Sequence, residues 1–252
     1  MANGLSGRAA LMAGFLLSGG AGAQDIAPVF DMGGLAATAS LGAVINSERD
    51  RAAHPNVPAP RAATASVGGA FLRPAPSATA AAPMRYNASL ALSREAVAAI
   101  VDRVRRHNPD HARLIQEQLE QHDYRAIYDG IVRPYGLAGD DTASALAAYL
   151  LLGWMIVHDG AAPPPGAVRA VRGQAIVALS DGRLNSPETR ARLGEEFKIL
   201  FVTLHAGWQS ARREGNLDSY GTGVADIFRT DSIDLAAMDL GLAGFQPRQK
   251  GN

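Results

Sequence analysis

Cysteine is absent from this chain of 252 residues. The absence excludes a disulfide framework, a thiolate nucleophile and any zinc or iron–sulfur site with cysteine ligands. It also excludes a lipoprotein anchor, because lipid attachment after a bacterial signal peptide requires a cysteine at the cleavage point. A folded domain in this chain must therefore be stabilised by its core alone.

The chain also lacks net charge, since 24 basic residues balance 24 acidic ones. Almost all the basic residues are arginines scattered among acids, and the only lysines are Lys198 and Lys250. Such a distribution creates no extended basic surface for polyanions. The sequence therefore predicts neither nucleic acid nor an anionic membrane surface as a partner.

Long apolar runs are missing as well. The most hydrophobic segment after the N-terminal region, residues 143–157, contains no charged residue, yet it is shorter than the ~20 residues that a spanning helix needs. Because it is apolar on all sides, we expect a buried central helix, with a membrane span as the alternative. No membrane span is predicted in the mature chain.

What the sequence does contain begins with the features of a signal peptide. Arg8 precedes an apolar run over 9–20, and Ala21 and Ala23 occupy the small-residue positions before Gln24. This order of charge, apolar run and small residues is read by the export machinery and its peptidase. We expect a signal peptide over 1–23, cleaved after Ala23, and export to the periplasm or the medium. A retained anchor is the alternative.

Residues 24–86 are rich in Ala, Pro, Ser, Thr and Gly and contain few large apolar side chains. Such a composition buries too little surface to offset the entropy of ordering. We expect a disordered linker, within which the small residues at 35–51 are compatible with a weak helix. A helix that folds on a partner is the alternative for that stretch, and 246–252 is predicted to be a disordered tail.

Between residues 87 and 245 apolar residues recur at helical spacing, and no stretch alternates convincingly as a strand does. The prediction is a single all-α, bundle-like domain of about six helices. Two short helical pieces, over 224–228 and 233–240, are expected to cover the core. The predicted N-caps are Ser93, Asn108, Asp123, Asp141 and Ser186.

Polar residues on the shoulders of two predicted core-facing helix surfaces form the first candidate site. Helical geometry places Arg172 and Glu196 on these shoulders, where they are expected to form a partly buried pair. Asp141, Tyr149 and Gln174 are candidates to join them. A structural ion pair that fixes helix register is one interpretation, and a catalytic glutamate of a glycan-cleaving enzyme is the other.

The aromatic residues Tyr149 and Trp154 lie at helical spacing inside the apolar run. We expect them in the core, with the wall of a pocket as the alternative.

A loop resembling half of a calcium site lies between two predicted helices. Asp181, Asn185 and Glu188 match ligand positions in the second half of an EF-hand loop. The first half has Val177 and Leu179 where oxygen ligands are required. A plain helix–turn–helix connection therefore explains the loop better, and no metal or cofactor is predicted.

A family resemblance accompanies these features. It is carried by Pro134-Tyr135-Gly136-Leu137 with Asp140 and Asp141, by Ala147, Tyr149 and Trp154, by Arg172 with Gln174, and by a long glutamate-bearing helix. Over roughly 84–245 this arrangement resembles exported bacterial proteins with the domain of unknown function numbered 6683. That resemblance implies export and a helical domain, but no activity or cofactor.

Taken together, the sequence favours a non-enzymatic exported protein that binds a protein or another partner in the cell envelope. The linker would allow the helical domain to reach its partner, and the helical domain would make the contact. The alternative is a glycan-directed hydrolase that uses Glu196 as its acid.

Overall fold

Helices make up most of the structure, a computed structural model that describes residues 44–45, 84–180, 184 and 186–248. The predicted helical fold class is confirmed. A small antiparallel pair of strands follows the last helix. In chain order the elements are α1 (Leu90–Arg105), α2 (Pro109–Gln121), α3 (Tyr124–Val132), α4 (Thr142–Val157), α5 (Ala167–Leu179), α6 (Pro187–Glu214), α7 (Leu217–Thr230), β1 (Met238–Gly241) and β2 (Gly244–Pro247).

Four of the five predicted N-caps are confirmed. The side chains of Asn108, Asp123, Asp141 and Ser186 each accept a hydrogen bond from a backbone N–H in the first turn of the helix that follows. The fifth was wrong, because Ser89 caps α1 and the helix begins one turn earlier than predicted. The two serines are four residues apart, so either satisfies the same local pattern.

The core is organised around α4, as its apolar sequence predicts. Every residue of α4 from Thr142 to Ile156 is buried. Helix α6 packs along α4 and also contacts α1 and α3, while α5 and α7 cover other sides of α4. Among the described residues, no helix has both the length and the apolarity of a membrane span.

The C-terminal segment departs from the prediction. The stretch predicted to be a helix over 233–240 contains only a 3₁₀ turn before it becomes β1, and Gln246 of the predicted tail lies in β2. Side chains of the helices hold these strands: the Trp154 indole donates to the Met238 carbonyl at 3.0 Å. The Gln174 amide bonds both the N–H and the carbonyl of Phe245, at 2.8 and 2.9 Å.

Residues 84–87 form a strap that packs against the helices. Tyr86 is buried, its N–H donates to the Asp140 carbonyl at 3.1 Å, and Arg85 forms a β-bridge with Asp141. Val44 and Ile45 are helical and buried. The predicted signal peptide and the remaining residues of the predicted linker, apart from the strap, lie outside the described residues, as does the end of the chain from 249.

Candidate functional site

Arg172 and Glu196 do not meet, so the predicted pair was wrong. Arg172 on α5 pairs with Asp141, with 2.7 Å between Nη2 and Oδ2, and its Nε donates to Ser144 Oγ at 3.1 Å. Glu196 on α6 is fully buried and pairs with Arg103 of α1 at 2.8 Å. The two acids and two arginines therefore form separate ion pairs. One connects the start of α4 with α5, and the other connects α1 with α6.

The predicted aromatic candidates are core residues. The Tyr149 ring packs against Phe228 with 5.0 Å between ring centroids, and Trp154 stacks on His158 at 4.4 Å. Gln174 is buried and serves the strand pair described above. These three side chains therefore act in packing and do not meet Glu196.

Of the three candidate calcium ligands, Asp181 and Asn185 lie outside the described residues. Glu188 is exposed in the first turn of α6, where hydrogen bonds from its own backbone and from Ser186 lower the pKa of its carboxyl group. Within the described ranges, no three His, Asp or Glu side chains are grouped as metal ligands. The calcium interpretation gains no support.

A buried cluster around Glu195 is the main polar feature of the domain, and sequence reasoning missed it. Oε1 of Glu195 accepts from the Tyr86 hydroxyl at 2.6 Å and from Lys198 Nζ at 2.8 Å. Oε2 accepts from the Tyr124 hydroxyl at 2.5 Å and from Ser93 Oγ at 3.3 Å. Both carboxylate oxygens are therefore engaged within the domain, although the single hydroxyl hydrogen of Ser93 is shared with the Ser89 carbonyl, 3.1 Å away. We refer to these five residues as the Glu195 cluster.

Lys198 is the buried cation of the cluster, with a side chain that is 1 % exposed. Besides Glu195, its ammonium group bonds Asp140 Oδ1 at 3.1 Å. It also lies over the rings of Tyr86 and Tyr128, 5.2 and 5.8 Å from their centroids. Such complete pairing is what makes burial of a charge tolerable.

The pKa shifts within the cluster follow from these contacts. Burial by itself raises the pKa of Glu195, but the charge and hydrogen bond of Lys198 and the hydrogen bonds from Tyr124 and Tyr86 outweigh it, so the pKa is lowered. Burial, and then the negative charge of Glu195, raise the pKa values of the two tyrosines well above their usual range. The cluster therefore holds an ionised glutamate and protonated tyrosines at neutral pH.

Two open cavities lie on either side of the cluster. The first, the α1–α2 groove, has a volume of about 830 Å³ and reaches the cluster through Ser93 and Tyr124. The second, of about 710 Å³, lies between the strap and the start of α6 and reaches the cluster through Tyr86 and Asp140. The Glu195 cluster therefore contributes side chains to two cavities that are open to solvent.

One feature of the sequence points to this cluster. Lys198 is the only lysine between residues 84 and 248, and it stands in the apolar run from Phe197 to Val202. A lysine in such a run requires a buried acid, and Glu195 lies one helical turn earlier, at a spacing that brings side chains together. The three hydroxyl donors have no comparable sequence pattern.

No model of a known protein family, no curated protein and no solved structure matches this chain. The resemblance to the family numbered 6683 therefore stays a prediction.

Proposed function

We propose that this protein is exported and serves as a binding module of the cell envelope, with the α1–α2 groove as its contact surface. The observation that carries this proposal is the groove itself, about 830 Å³ in volume and bounded by apolar and charged side chains. Ligand sites in proteins commonly have volumes of about 300–1,000 Å³. Ser93 and Tyr124, on the groove wall, are held by hydrogen bonds to Glu195, so this part of the surface is preorganised.

The same contacts favour binding over hydrolysis. A glycan-cleaving acid must hold a proton beside its substrate. Glu196 is buried against Arg103, away from solvent. Glu195 has a lowered pKa, and its oxygens already accept three hydrogen bonds from tyrosine and lysine side chains of the cluster, so it is suited to neither the acid nor the base role.

Export is supported by Arg8, the apolar run over 9–20 and the small residues before Gln24. The test is N-terminal sequencing of the protein recovered from the periplasm and the medium. We expect the mature chain to begin at Gln24. Recovery of a chain that begins at Met1 from those fractions would contradict cleavage.

Binding through the groove is tested by a photo-crosslinking amino acid at Ala98, an exposed position on the groove. The matched control carries the same group at Thr222, exposed on α7. Irradiation of living cells should produce a discrete adduct at position 98 and none at 222. Equal labelling at both positions, or none at 98, would contradict an envelope partner bound in the groove.

A cell-wall substrate gel tests the hydrolase directly. We expect no cleared zone from the wild-type protein. Clearing that disappears in Glu196→Gln would favour the hydrolase and contradict the binding proposal.

A further inference from the structure

Three acidic side chains lie along the α1–α2 groove, and each is already engaged within the domain. Asp102 pairs with Arg105 at 2.5 Å. Asp123 accepts from two backbone N–H groups at the start of α3. Glu120 accepts from the Gln116 amide at 2.8 Å. Each of the three carboxylates therefore already has a partner within the domain.

Two arginines lie at one end of the groove. Arg94 is exposed, and the structure gives it neither an ion pair nor a hydrogen bond with any described residue. The side chain of Arg125 is 33 % exposed, and its Nε is 3.9 Å from Oε2 of Glu195, which also pairs with Lys198. Arg125 also donates to Ser93, the residue before Arg94, at 3.4 Å, so both cations belong to the same end.

Apolar side chains continue from this cationic end along α1. Val97, Ala98 and Val101 lie on one side of the groove and Leu119 of α2 lies on the other. From residue 94 to residue 101, α1 rises about 10 Å, the length of a chain of about eight carbons. The groove therefore combines an anion-attracting end with an apolar seam.

We propose that the α1–α2 groove binds a monomeric single-chain amphiphile with an anionic head group, of the fatty-acid type. The carboxylate lies against Arg94 and Arg125, and the aliphatic chain lies along Val97, Ala98 and Leu119. This assignment rests on the proposed function and names its ligand class. Burial of the chain provides most of the affinity, and the two guanidinium groups select the head group.

Calorimetry on the mature chain compares decanoate with decyl maltoside, decyltrimethylammonium and acetate. Decanoate should bind with a one-to-one ratio. The neutral and cationic amphiphiles should bind at least about tenfold more weakly, and acetate should not bind detectably. Hexanoate should bind about fifteenfold more weakly than octanoate, whose chain matches the length of the seam, because each buried methylene contributes about fourfold. Equal affinities for the three head groups would overturn the proposal.

Variants locate the site. Arg94→Gln should lower the affinity for decanoate about tenfold and leave that for decyl maltoside unchanged. Val97→Trp fills the seam and should abolish binding of both. Arg113→Gln, an exposed arginine of α2 outside the groove, is the control and should have no effect. If Arg113→Gln lowered the affinity for decanoate as much as Arg94→Gln does, the assignment would be refuted. This comparison does not depend on an Arg125→Gln variant, which could fail to fold because Arg125 pairs with Glu195.

Three further outcomes separate the alternatives. Stronger binding to phosphatidylglycerol vesicles than to monomeric decanoate would replace the monomeric ligand with a membrane surface. A protein adduct at Ala98 in cells without decanoate binding would overturn the amphiphile and leave the proposed function standing. If decanoate binds but no adduct forms at Ala98 in cells, the proposed binding of an envelope partner is contradicted, while the assignment of an amphiphile to the groove stands.

Discussion

Glu195 and Glu196 are neighbours in the chain but serve different contacts. Successive residues of a helix point about 100° apart. Glu196 therefore meets Arg103 of α1, while Glu195 meets the strap, α3 and Lys198. Both acids are fully buried, so each depends on the completeness of its pairing.

The first prediction concerns the charge of Glu195. Glu195→Gln leaves Lys198 buried with only Asp140, and should lower the free energy of unfolding by about 3–5 kcal/mol. Urea denaturation measures the change. Asp140→Asn is the control: that side chain is 51 % exposed, so its loss should cost about 1 kcal/mol or less.

Replacing both charges provides the second half of the test. The double variant Glu195→Gln with Lys198→Met should be more stable than Glu195→Gln alone, because it leaves no buried unpaired cation. If the two variants have equal free energies of unfolding, the ion pair between Glu195 and Lys198 does not account for the stability that the cluster provides.

At the scale of elements, the strap is held against α6 by a close approach at Gly194. A Cβ at this position would lie 2.3 Å from Cε1 of Tyr86, which no real contact allows. The ring reaches Glu195 only because Gly194 has no side chain. The glycine therefore fixes how the strap crosses α6.

Gly194→Ala should displace the Tyr86 ring, break its hydrogen bond to Glu195 and lower the melting temperature. The expected loss of unfolding free energy is about 2–4 kcal/mol, from overpacking and a lost buried hydrogen bond. Gly130→Ala in α3 is the matched control, because a Cβ there meets nothing within 4 Å. It should be neutral or stabilise by about 0.5–1 kcal/mol, since alanine favours helix. Equal melting temperatures for the two variants would refute the argument.

Asp141 connects two elements, since it caps α4 and pairs with Arg172 of α5. Asp141→Ala should lower the free energy of unfolding by about 3 kcal/mol, the sum of a lost cap and a broken, largely buried ion pair. Asp123→Ala is the control that removes a cap alone from α3, at about 1 kcal/mol. Guanidinium denaturation of both variants measures the difference, and equal losses would assign no role to the pairing with Arg172.

At the scale of the whole molecule, acid stability depends on buried titratable groups. Burial, with a smaller effect of Arg212, lowers the pKa of His205 to about 4. In the unfolded chain a histidine has a pKa of about 6.5. Between those values the unfolded state binds the extra proton, so this group reduces the stability of the fold as pH falls from about 6.5 to about 4.

We therefore expect the free energy of unfolding to decrease over that pH window, by up to a few kcal/mol from His205. Glutamine has about the volume of histidine but does not titrate. In His205→Gln the free energy of unfolding should therefore change less between pH 6.5 and 4 than in the wild-type protein. Below about pH 4.5 the curve should still fall, because the lowered pKa of Glu195 provides stability that protonation removes. Thermal unfolding across pH tests this, with His107→Gln, an exposed histidine, as control. An unchanged slope in His205→Gln would refute the assignment.

The sequence by itself determined the local features. Asn108, Asp123, Asp141 and Ser186 cap helices because a side-chain oxygen before an apolar periodic run needs only its own first turn to act. The burial of α4 followed from an apolar surface on every side. Both depend on neighbours within a few residues.

Only the tertiary structure decided which charges meet. Tyr86 and Glu195 are 109 residues apart, and Tyr124 is 71 residues from the same carboxylate, so no local pattern records their contact. Arg172 and Glu196 were both predicted to lie at the edge of a core-facing helix surface. The angular position of a residue on a helix does not determine which neighbouring helix packs against it. The strands at 238–247 likewise depend on Trp154 and Gln174, because short strands need partners from elsewhere in the fold to persist.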